Sequence, residues 1–177
     1  MAYVELKPVK FDNFWGRNLF FSETGIKGDL VRKKNIVAIK NTSENFRIWS
    51  QPEIQKAMVK NRATFLIMSN RQLAYITFHI LKCGFDLKNI KVYSSFQKRT
   101  VDSTEFIPDE YSSFKLSDLV SFFVDQVETS IAEVHLRKQN QEIIIKANGV
   151  IGFTNFSSQD KGNFLLSIYE AYNESQI

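Results

Sequence analysis

The chain has 177 residues, of which 44% are apolar, and it contains 16 Phe and 6 Tyr. This content is too apolar for a disordered chain, and the length is sufficient for one domain with a buried core. No apolar run approaches the roughly 18 residues of a membrane span, so we expect any membrane contact to be peripheral. The one cysteine, Cys83, cannot form an intrachain disulfide, which favours a reducing compartment.

The charged residues are sorted along the chain. Residues 1–99 hold 18 of the 23 Lys and Arg and 7 of the 19 Asp and Glu, a formal balance of +11. Residues 100–177 hold 5 basic and 12 acidic side chains, a balance of −7. A basic region attracts phosphate, and an acidic region can dock on the basic region of another copy. The alternative is that both groups solvate one domain, with their charges intermixed in three dimensions.

The N-terminal third predicts strands separated by polar turns. Tyr3–Val9 alternates apolar and polar side chains, as half-buried strands do, and Asn35–Lys40 is rich in β-branched residues. Between them, Asn18–Ser22 is a short apolar run. After a polar loop at residues 41–45, Phe46–Trp49 predicts a short extended segment.

Two helices are predicted in the middle of the chain. Ser50 is predicted to cap the first helix, because its side-chain oxygen can accept from a free backbone N–H of the first turn. After an apolar strand at Ala63–Met68, a largely buried helix is predicted to begin near Ser69 and to end at Gly84. A turn then leads into a strand at Ile90–Phe96.

The C-terminal half begins with residues 97–116, which follow neither a helical nor a strand period and predict an exposed connection. Ser117–Val127 predicts a helix, Thr129–Leu136 and Glu142–Ala147 predict a hairpin, and Ser158–Tyr172 predicts the last helix. The whole chain is thus predicted to be a single α+β domain, with a mostly antiparallel sheet packed against two to four helices.

Few residues suggest catalysis, and we expect no enzyme, metal site or cofactor. His79 lies in an apolar helix, where a hydrogen-bonded core histidine is the commoner role, and His135 lies on a predicted strand. The two-histidine phosphoesterases need a hydroxyl residue two positions after each histidine, but Leu81 and Arg137 occupy those positions. Cys83 is predicted to be a small buried apolar residue rather than an activated thiolate. No pair of Cys and His residues has the spacing of a zinc site.

Basic residues of the N-terminal half are candidate polyanion-binding residues, and they are densest at Arg32–Lys34. Each phosphate contact would release counterions, so binding would weaken as salt increases. Aromatic residues lie between these cations, but aromatic residues on strands belong more often to a core than to a base-stacking surface. These aromatic residues are Phe20, Phe21, Phe46 and Trp49. The predicted polyanion-binding residues are Lys7, Lys10, Arg32, Lys33, Lys34, Lys40, Arg62 and Arg71.

The N-terminal segment, residues 1–15, is crowded with apolar side chains and is a candidate docking segment for self-association. Such a segment either completes the sheet of its own domain or docks on a neighbouring copy, and the sequence leaves both possibilities open. The predicted self-association residues are Tyr3, Val4, Leu6, Phe11, Phe14 and Trp15.

The predicted connection carries one short motif, Pro-x-x-Tyr, formed by Pro108 and Tyr111. It resembles the proline-tyrosine late-budding motif that binds host WW domains. Ile107, however, replaces the first proline, on which a ligand of polyproline conformation depends. An exposed turn is the favoured interpretation, and a contact with WW-domain proteins is the alternative.

The stretch from Lys34 to Phe96 resembles the core of rhabdovirus matrix proteins in the order of its elements. A strand and a polar loop lead into Phe46–Ser50 and an amphipathic helix, and a short strand precedes an aromatic-rich helix that begins at Gln72. The hairpin and the last helix fit the second half of that family. Small size, basic balance and abundant aromatic residues suit a plant cytorhabdovirus-like member.

The resemblance implies a non-enzymatic structural protein of the virion. Such a protein associates with itself as an oligomer or filament and condenses the viral nucleocapsid with its RNA. It also bridges the nucleocapsid to an anionic membrane surface during assembly and budding. The localisation implied is the virion, the host cytoplasm and, peripherally, the inner face of membranes. Contacts between complementary faces that do not close generate filaments, which agrees with the sorted charge.

A second interpretation, from another functional class, is a phage- or plasmid-encoded nucleic-acid-binding regulator or an inhibitor of a host enzyme. A weaker third option is a nuclease that uses carboxylates such as Asp12, Asp29 and Asp86. A stoichiometric complex with one host enzyme would favour the inhibitor. Salt-sensitive, concentration-dependent sedimentation together with liposome binding would favour the matrix protein.

Overall fold

A computed structural model describes residues 3–26, 31–94, 99–102, 115–126 and 130–176. The strands of this described part are β1 (Tyr3–Phe11), β2 (Val31–Lys33), β3 (Ile36–Lys40), β4 (Ala63–Phe65), β5 (Asp86–Ser94), β6 (Arg99–Asp102), β7 (Ile131–Lys138), β8 (Gln141–Lys146) and β9 (Ile151–Thr154). Its helices are α1 (Phe14–Thr24), α2 (Ser43–Trp49), α3 (Pro52–Lys60), α4 (Asn70–Lys82), α5 (Leu116–Ser121) and α6 (Ser158–Glu174), and a π-helical turn (Phe122–Gln126) directly follows α5.

The nine described strands form one sheet in which each pair is antiparallel. Eight of them follow the order β2-β3-β1-β9-β8-β7-β5-β6, and β4 lies off this path, paired with β1. β1 pairs with β3 along one side. Along its other side, Tyr3–Leu6 pairs with β9 and Val9–Phe11 pairs with β4. Strands from the basic and acidic halves of the sequence are therefore neighbours at β1/β9 and at β5/β7. The two halves share a sheet and do not form separate poles.

The larger core lies between one face of the sheet and helices α4, α5 and α6. Alternate residues of β7 and β8 point into it, so Val134, Leu136, Ile143 and Ile145 are completely buried. Ile168 of α6 packs into the same cluster. The period of two in these strands explains why the sequence predicts the hairpin well.

A smaller core lies on the opposite face, where α1, α2 and α3 pack against β1 and β3. β3 shows the division between the cores: Ile36 and Ala38 belong to the larger one, whereas Val37 and Ile39 belong to the smaller one. Because both of its faces are covered, this strand is a continuous apolar run rather than an alternating one.

Side chains cap the N-termini of several helices. Asn13 caps α1, Thr42 caps α2 and Ser157 caps α6, each by accepting a hydrogen bond from a backbone N–H of the first turn. Ser69 and Gln72 form a reciprocal capping box at the start of α4, as the predicted cap requires. These caps fix where each helix begins relative to the strand before it.

The predicted α+β class with an antiparallel sheet is confirmed, but the sequence predicted too few helices. The apolar run at residues 18–22 lies inside α1, and Phe46–Trp49 belongs to α2 rather than to an extended segment. In α1 the apolar side chains point both inward and outward, so no single stripe indicates a helix. Similarly, β9 was not predicted, because it has only four residues and includes Gly152.

Other boundaries differ in detail. The N-cap of α3 is Gln51 instead of Ser50, and α5 begins after Lys115 instead of Ser117. β6 lies within the predicted connection at residues 97–116, so that prediction is wrong for Arg99–Asp102. Within the described ranges, no helix has the length and apolar character needed to cross a membrane.

Candidate interaction surfaces

Helix α1 turns three large apolar side chains toward solvent. Phe14, Trp15 and Leu19 are 49%, 74% and 55% exposed, respectively. Trp15 and Leu19 are four residues apart and therefore lie on the same side of the helix, and the Phe14 and Trp15 rings meet edge to face at 6.3 Å. We call these three residues the α1 outer face. A group of exposed apolar side chains of this kind is typical of a surface that contacts a partner or a membrane.

The inner side of α1 holds this face in position. Phe20 is completely buried and its ring stacks on Trp49 at 5.3 Å. The buried Arg17 donates a hydrogen bond to the Lys34 carbonyl oxygen, and its guanidinium carbon lies 4.4 Å from the centre of the Phe14 ring. The helix is thus attached both to the smaller core and to the turn between β2 and β3.

The structure divides the predicted self-association residues into two groups. Leu6 and Phe11 are buried in the cores and Val4 packs against the larger core, so for these residues docking on a neighbour is wrong. The physical reason is that β1 pairs on both sides and completes its own sheet. Exposed surface remains on Tyr3 and on the α1 residues of the prediction, which are Phe14 and Trp15. Leu19 was missed, although its i, i+4 spacing from Trp15 was a usable signal.

The predicted polyanion-binding residues do not form one patch. Lys7 Nζ lies 4.7 Å from the centre of the Phe65 ring, on the α1–α3 side of the sheet. Lys10 is on the opposite face, where its Nζ lies 3.3 Å from Asn173 Oδ1 of α6. The alternation of side chains along β1 separates Lys7 from Lys10, since positions that differ by an odd number face opposite ways.

The remaining predicted cations are distributed over other elements. Arg62 forms an exposed ion pair with Asp12 at 3.2 Å, and Arg71, on α4, lies 5.9 Å from the ring centre of Tyr75. Lys34 occupies a turn with positive φ, and Lys40 ends β3. The side chains of Arg32 and Lys33 lie outside the described part, as does the whole motif of Pro108 and Tyr111.

A small recess of about 110 Å³ lies between α2 and strands β1 and β3. Its aromatic lining consists of Phe46, Trp49 and Phe65, and both Lys7 and Lys40 border it. We call it the α2 recess. It is a place where the structure brings together two predicted cations and two of the aromatic residues, Phe46 and Trp49, that are interleaved with the basic residues of the N-terminal half.

On the face of the sheet beyond α1–α3, paired charges cross the strands. Lys146 Nζ lies 2.7 Å from Glu5 Oε1 and 3.7 Å from Glu133 Oε1. Glu133 Oε2 lies 3.0 Å from His135 Nε2 and 3.3 Å from Lys91 Nζ. We call these five residues the charge ladder. The sequence did not indicate it, because only the strand register brings Glu5 to the hairpin.

The charge ladder lowers the pKa of its carboxylates. Partial burial alone would raise the pKa of Glu5, but hydrogen bonds donated by Lys146, Asn41 and Tyr3 outweigh it, and the pKa is lowered to about 2. Burial would likewise raise the pKa of Glu133, but its hydrogen-bonding and oppositely charged ladder partners lower it. Conversely, burial and the hydrogen bond to Glu5 raise the pKa of Tyr3. The ladder is an internally neutralised connection between β1 and the hairpin.

The other candidate chemical groups are separate from one another. His79 Nε2 lies 2.9 Å from Glu174 Oε2 at a partly exposed position, while His135 belongs to the charge ladder. Cys83 is exposed, so the predicted burial is wrong; it follows α4 at the C-terminal cap, where the chain turns at the surface. In the part of the chain that the structure describes, no three His, Cys, Asp or Glu side chains are placed to hold a metal ion.

Comparison with known proteins adds no identification. Neither a protein-family model nor a curated protein matches the chain. Function is therefore inferred from the residues and geometry of the chain itself.

Proposed function

We propose that the chain is a non-enzymatic assembly protein of the viral matrix type, which associates with itself and with a polyanion, either nucleocapsid RNA or an anionic membrane. The observation that carries the proposal is the α1 outer face. The inner side of α1 already packs in the smaller core, and its outer side exposes Phe14, Trp15 and Leu19. Exposed apolar residues on a helix that is already packed favour a contact with another molecule.

The sequence around this helix supplies the charge for a polyanion. Residues 7–65, which include α1, α2 and α3, hold 12 Lys and Arg and 5 Asp and Glu. Such a balance attracts phosphate groups over distances of about 10 Å at moderate salt. An apolar surface within a basic segment suits an anionic membrane or an RNA–protein complex better than it suits a neutral partner.

The energetics agree with a reversible assembly. Complete burial of one large apolar side chain contributes roughly 1.5–3 kcal/mol. Three such residues on α1 are therefore enough for a weak contact that becomes strong when it is repeated in an array. A protein layer that has to assemble and later disassemble requires weak contacts that are repeated many times.

The test is a double variant, Trp15→Ser with Leu19→Ser. Both side chains are exposed, so we expect the fold to persist while self-association weakens at least tenfold, since burial of the exposed parts of the two side chains is together worth more than a factor of ten. Sedimentation velocity over a concentration series measures the association, and flotation with phosphatidylserine vesicles measures membrane binding. The matched control is Ile67→Ser, which removes an apolar side chain that is 69% exposed outside α1.

The same measurements separate the alternatives. A wild-type chain that stays monomeric at all concentrations, and that binds neither RNA nor vesicles, contradicts the assembly proposal. Capture of one host enzyme in a stoichiometric complex, unaffected by the double variant, would support the inhibitor in its place.

A further inference from the structure

The α2 recess has an aromatic floor that is held in place by packing. Trp49 lines it while being only 3% exposed, since its ring stacks on Phe20 at 5.3 Å and meets Phe65 edge to face at 6.3 Å. The Gln55 side chain also donates to the Trp49 carbonyl oxygen. Contacts on several sides fix the position of the indole, so the floor is formed before any ligand arrives.

The outer wall of the recess is Phe46, which is 68% exposed although it belongs to a short, capped helix. Thr42 caps this helix and Ser50 Oγ donates to the Phe46 carbonyl oxygen at 2.7 Å, so the backbone is held on both sides of the ring. Exposure of a large aromatic ring costs free energy in water, and a flat ligand that covers the ring would recover it.

Positive charge lies at the mouth of the recess. Lys7 Nζ is 4.7 Å from the centre of the Phe65 ring, and Lys40 borders the recess from the neighbouring strand. Polar side chains, among them Asn41, Ser50 and Gln55, complete the lining. An acyl chain would leave these polar groups without water, whereas a nucleotide offers a flat ring, a polar edge and a phosphate.

We propose that the α2 recess binds one base of a single-stranded RNA, which contacts Phe46 and the Trp49 floor while the adjoining phosphate contacts Lys7 and Lys40. The inference rests on the polyanion-binding part of the proposed function, but it does not involve the α1 outer face. It assigns a base-contacting role to Phe46, whose aromatic neighbours in the sequence are mostly core residues.

The experiment uses two probes with equal charge, octauridylate and an eight-residue abasic oligonucleotide. The chain has two tryptophans, so Trp15→Phe leaves Trp49 as the only tryptophan and makes its fluorescence a reporter of the recess. In this background we expect octauridylate, but not the abasic strand, to quench Trp49. We also expect octauridylate to bind about tenfold more tightly than the abasic strand, as one stacked base provides.

Substitutions at Phe46 test whether the ring makes the contact. Phe46→Ala should remove the preference for octauridylate, and Phe46→Leu should restore little of it, because leucine is apolar but has no ring to stack. Val59→Ala is the control, since Val59 is 79% exposed on α3 and does not line the recess. Lys7→Gln should weaken both probes equally and reduce the salt dependence of binding.

Two results would overturn the inference while leaving the proposed function in place. One is equal affinity of wild type for both probes with unchanged Trp49 emission; RNA binding itself would then stand and only the recess would be excluded. The other is quenching of Trp49 by a lysophospholipid below its micellar concentration without any effect of octauridylate, which would identify an acyl ligand. Failure of wild type to bind either probe at low salt would instead remove the polyanion-binding part of the proposed function, and the inference with it.

Discussion

Two halves of the same sheet face are completed in different ways. Over β1 and β3, helices α1, α2 and α3 bury apolar side chains in the smaller core. Over β5, β7 and β8, the face carries the charge ladder, in which each carboxylate has a cationic partner. The helices that cover the first half present exposed apolar residues to solvent. In the second half, the charged side chains form ion pairs with one another.

The difference shows where an interaction surface is to be sought in this protein. Charges that pair with one another within the sheet contribute little to binding a partner, because a partner would have to replace contacts that already exist. A partner that covers exposed aromatic and aliphatic groups displaces water from them rather than an ion pair. The α1 outer face and Phe46 are therefore stronger candidates for contact than Lys146 or Lys91.

The largest loss of stability is expected when a side chain is removed from the smaller core. Phe20→Ala removes a completely buried ring from between Phe11 and Trp49, and we expect the free energy of unfolding to fall by about 3–5 kcal/mol. Urea denaturation followed by circular dichroism measures the change. Because Trp49 stacks on Phe20, near-ultraviolet circular dichroism should also weaken in the folded state.

The neighbouring residue provides the matched control for this variant. Leu19→Ala truncates an exposed side chain of the same helix and should change stability by less than about 0.5 kcal/mol. Equal losses in the two variants would mean that α1 is not packed as described and that its outer face is not a free surface.

The charge ladder should give a smaller effect that depends on pH. In the unfolded chain Glu5 binds a proton near its ordinary pKa of 4.5, but in the folded chain only near a pKa of about 2. Between these values the unfolded state holds more protons, so the contribution of Glu5 to stability is fully present above about pH 5 and is lost as the pH falls toward 2. We expect Glu5→Gln to cost on the order of 2 kcal/mol at pH 7 and progressively less below pH 4.

This prediction is checked by urea denaturation of wild type and variant at several pH values. Glu170→Gln, at an exposed position on α6, is the control and should run parallel to wild type. A difference between Glu5→Gln and wild type that stays constant from pH 7 to pH 3 would contradict the lowered pKa of Glu5.

Sequence reasoning succeeded where a residue pattern has one physical cause. The hairpin of β7 and β8 alternates because only one of its faces meets the helices, and Ser69 begins α4 because a capping box is a local interaction. The prediction from sequence failed for α1, where apolar residues occur on two sides of the helix for different reasons. Apolar residues of α1 serve both the smaller core and the outer face, so they form no single stripe with the period of a helix.

The candidate surfaces were predictable only in part for a similar reason. Phe46 is recognisable as an aromatic residue among cations and Trp15 as part of an apolar segment, but whether each is buried depends on the packing of helices that are distant in sequence. The link between Glu5 and Lys146 depends on β9 lying between their strands, and β9 has too weak a pattern to be predicted. Register, rather than composition, decides which charges meet.

The smallest expected effect comes from Tyr3, at the exposed end of the ladder. Its ring crosses Gly152, where an added Cβ would lie 2.6 Å from the Tyr3 hydroxyl oxygen, and that hydroxyl donates to Glu5 Oε1 at 2.8 Å. Tyr3→Phe keeps the ring and removes the donor, so we expect a loss of about 0.5 kcal/mol at pH 7, small because the residue is 49% exposed. One of the hydrogen bonds that lower the pKa of Glu5 would be gone, so that pKa should rise toward its ordinary value. The acid-dependent loss of stability should then still begin near pH 5, where the unfolded chain starts to bind a proton, but it should be smaller and should end at a higher pH than in wild type. Denaturation curves between pH 2 and pH 5 measure this difference; if the loss of stability with acid is the same as in wild type, Tyr3 does not bond to Glu5, and the ladder ends at Glu5.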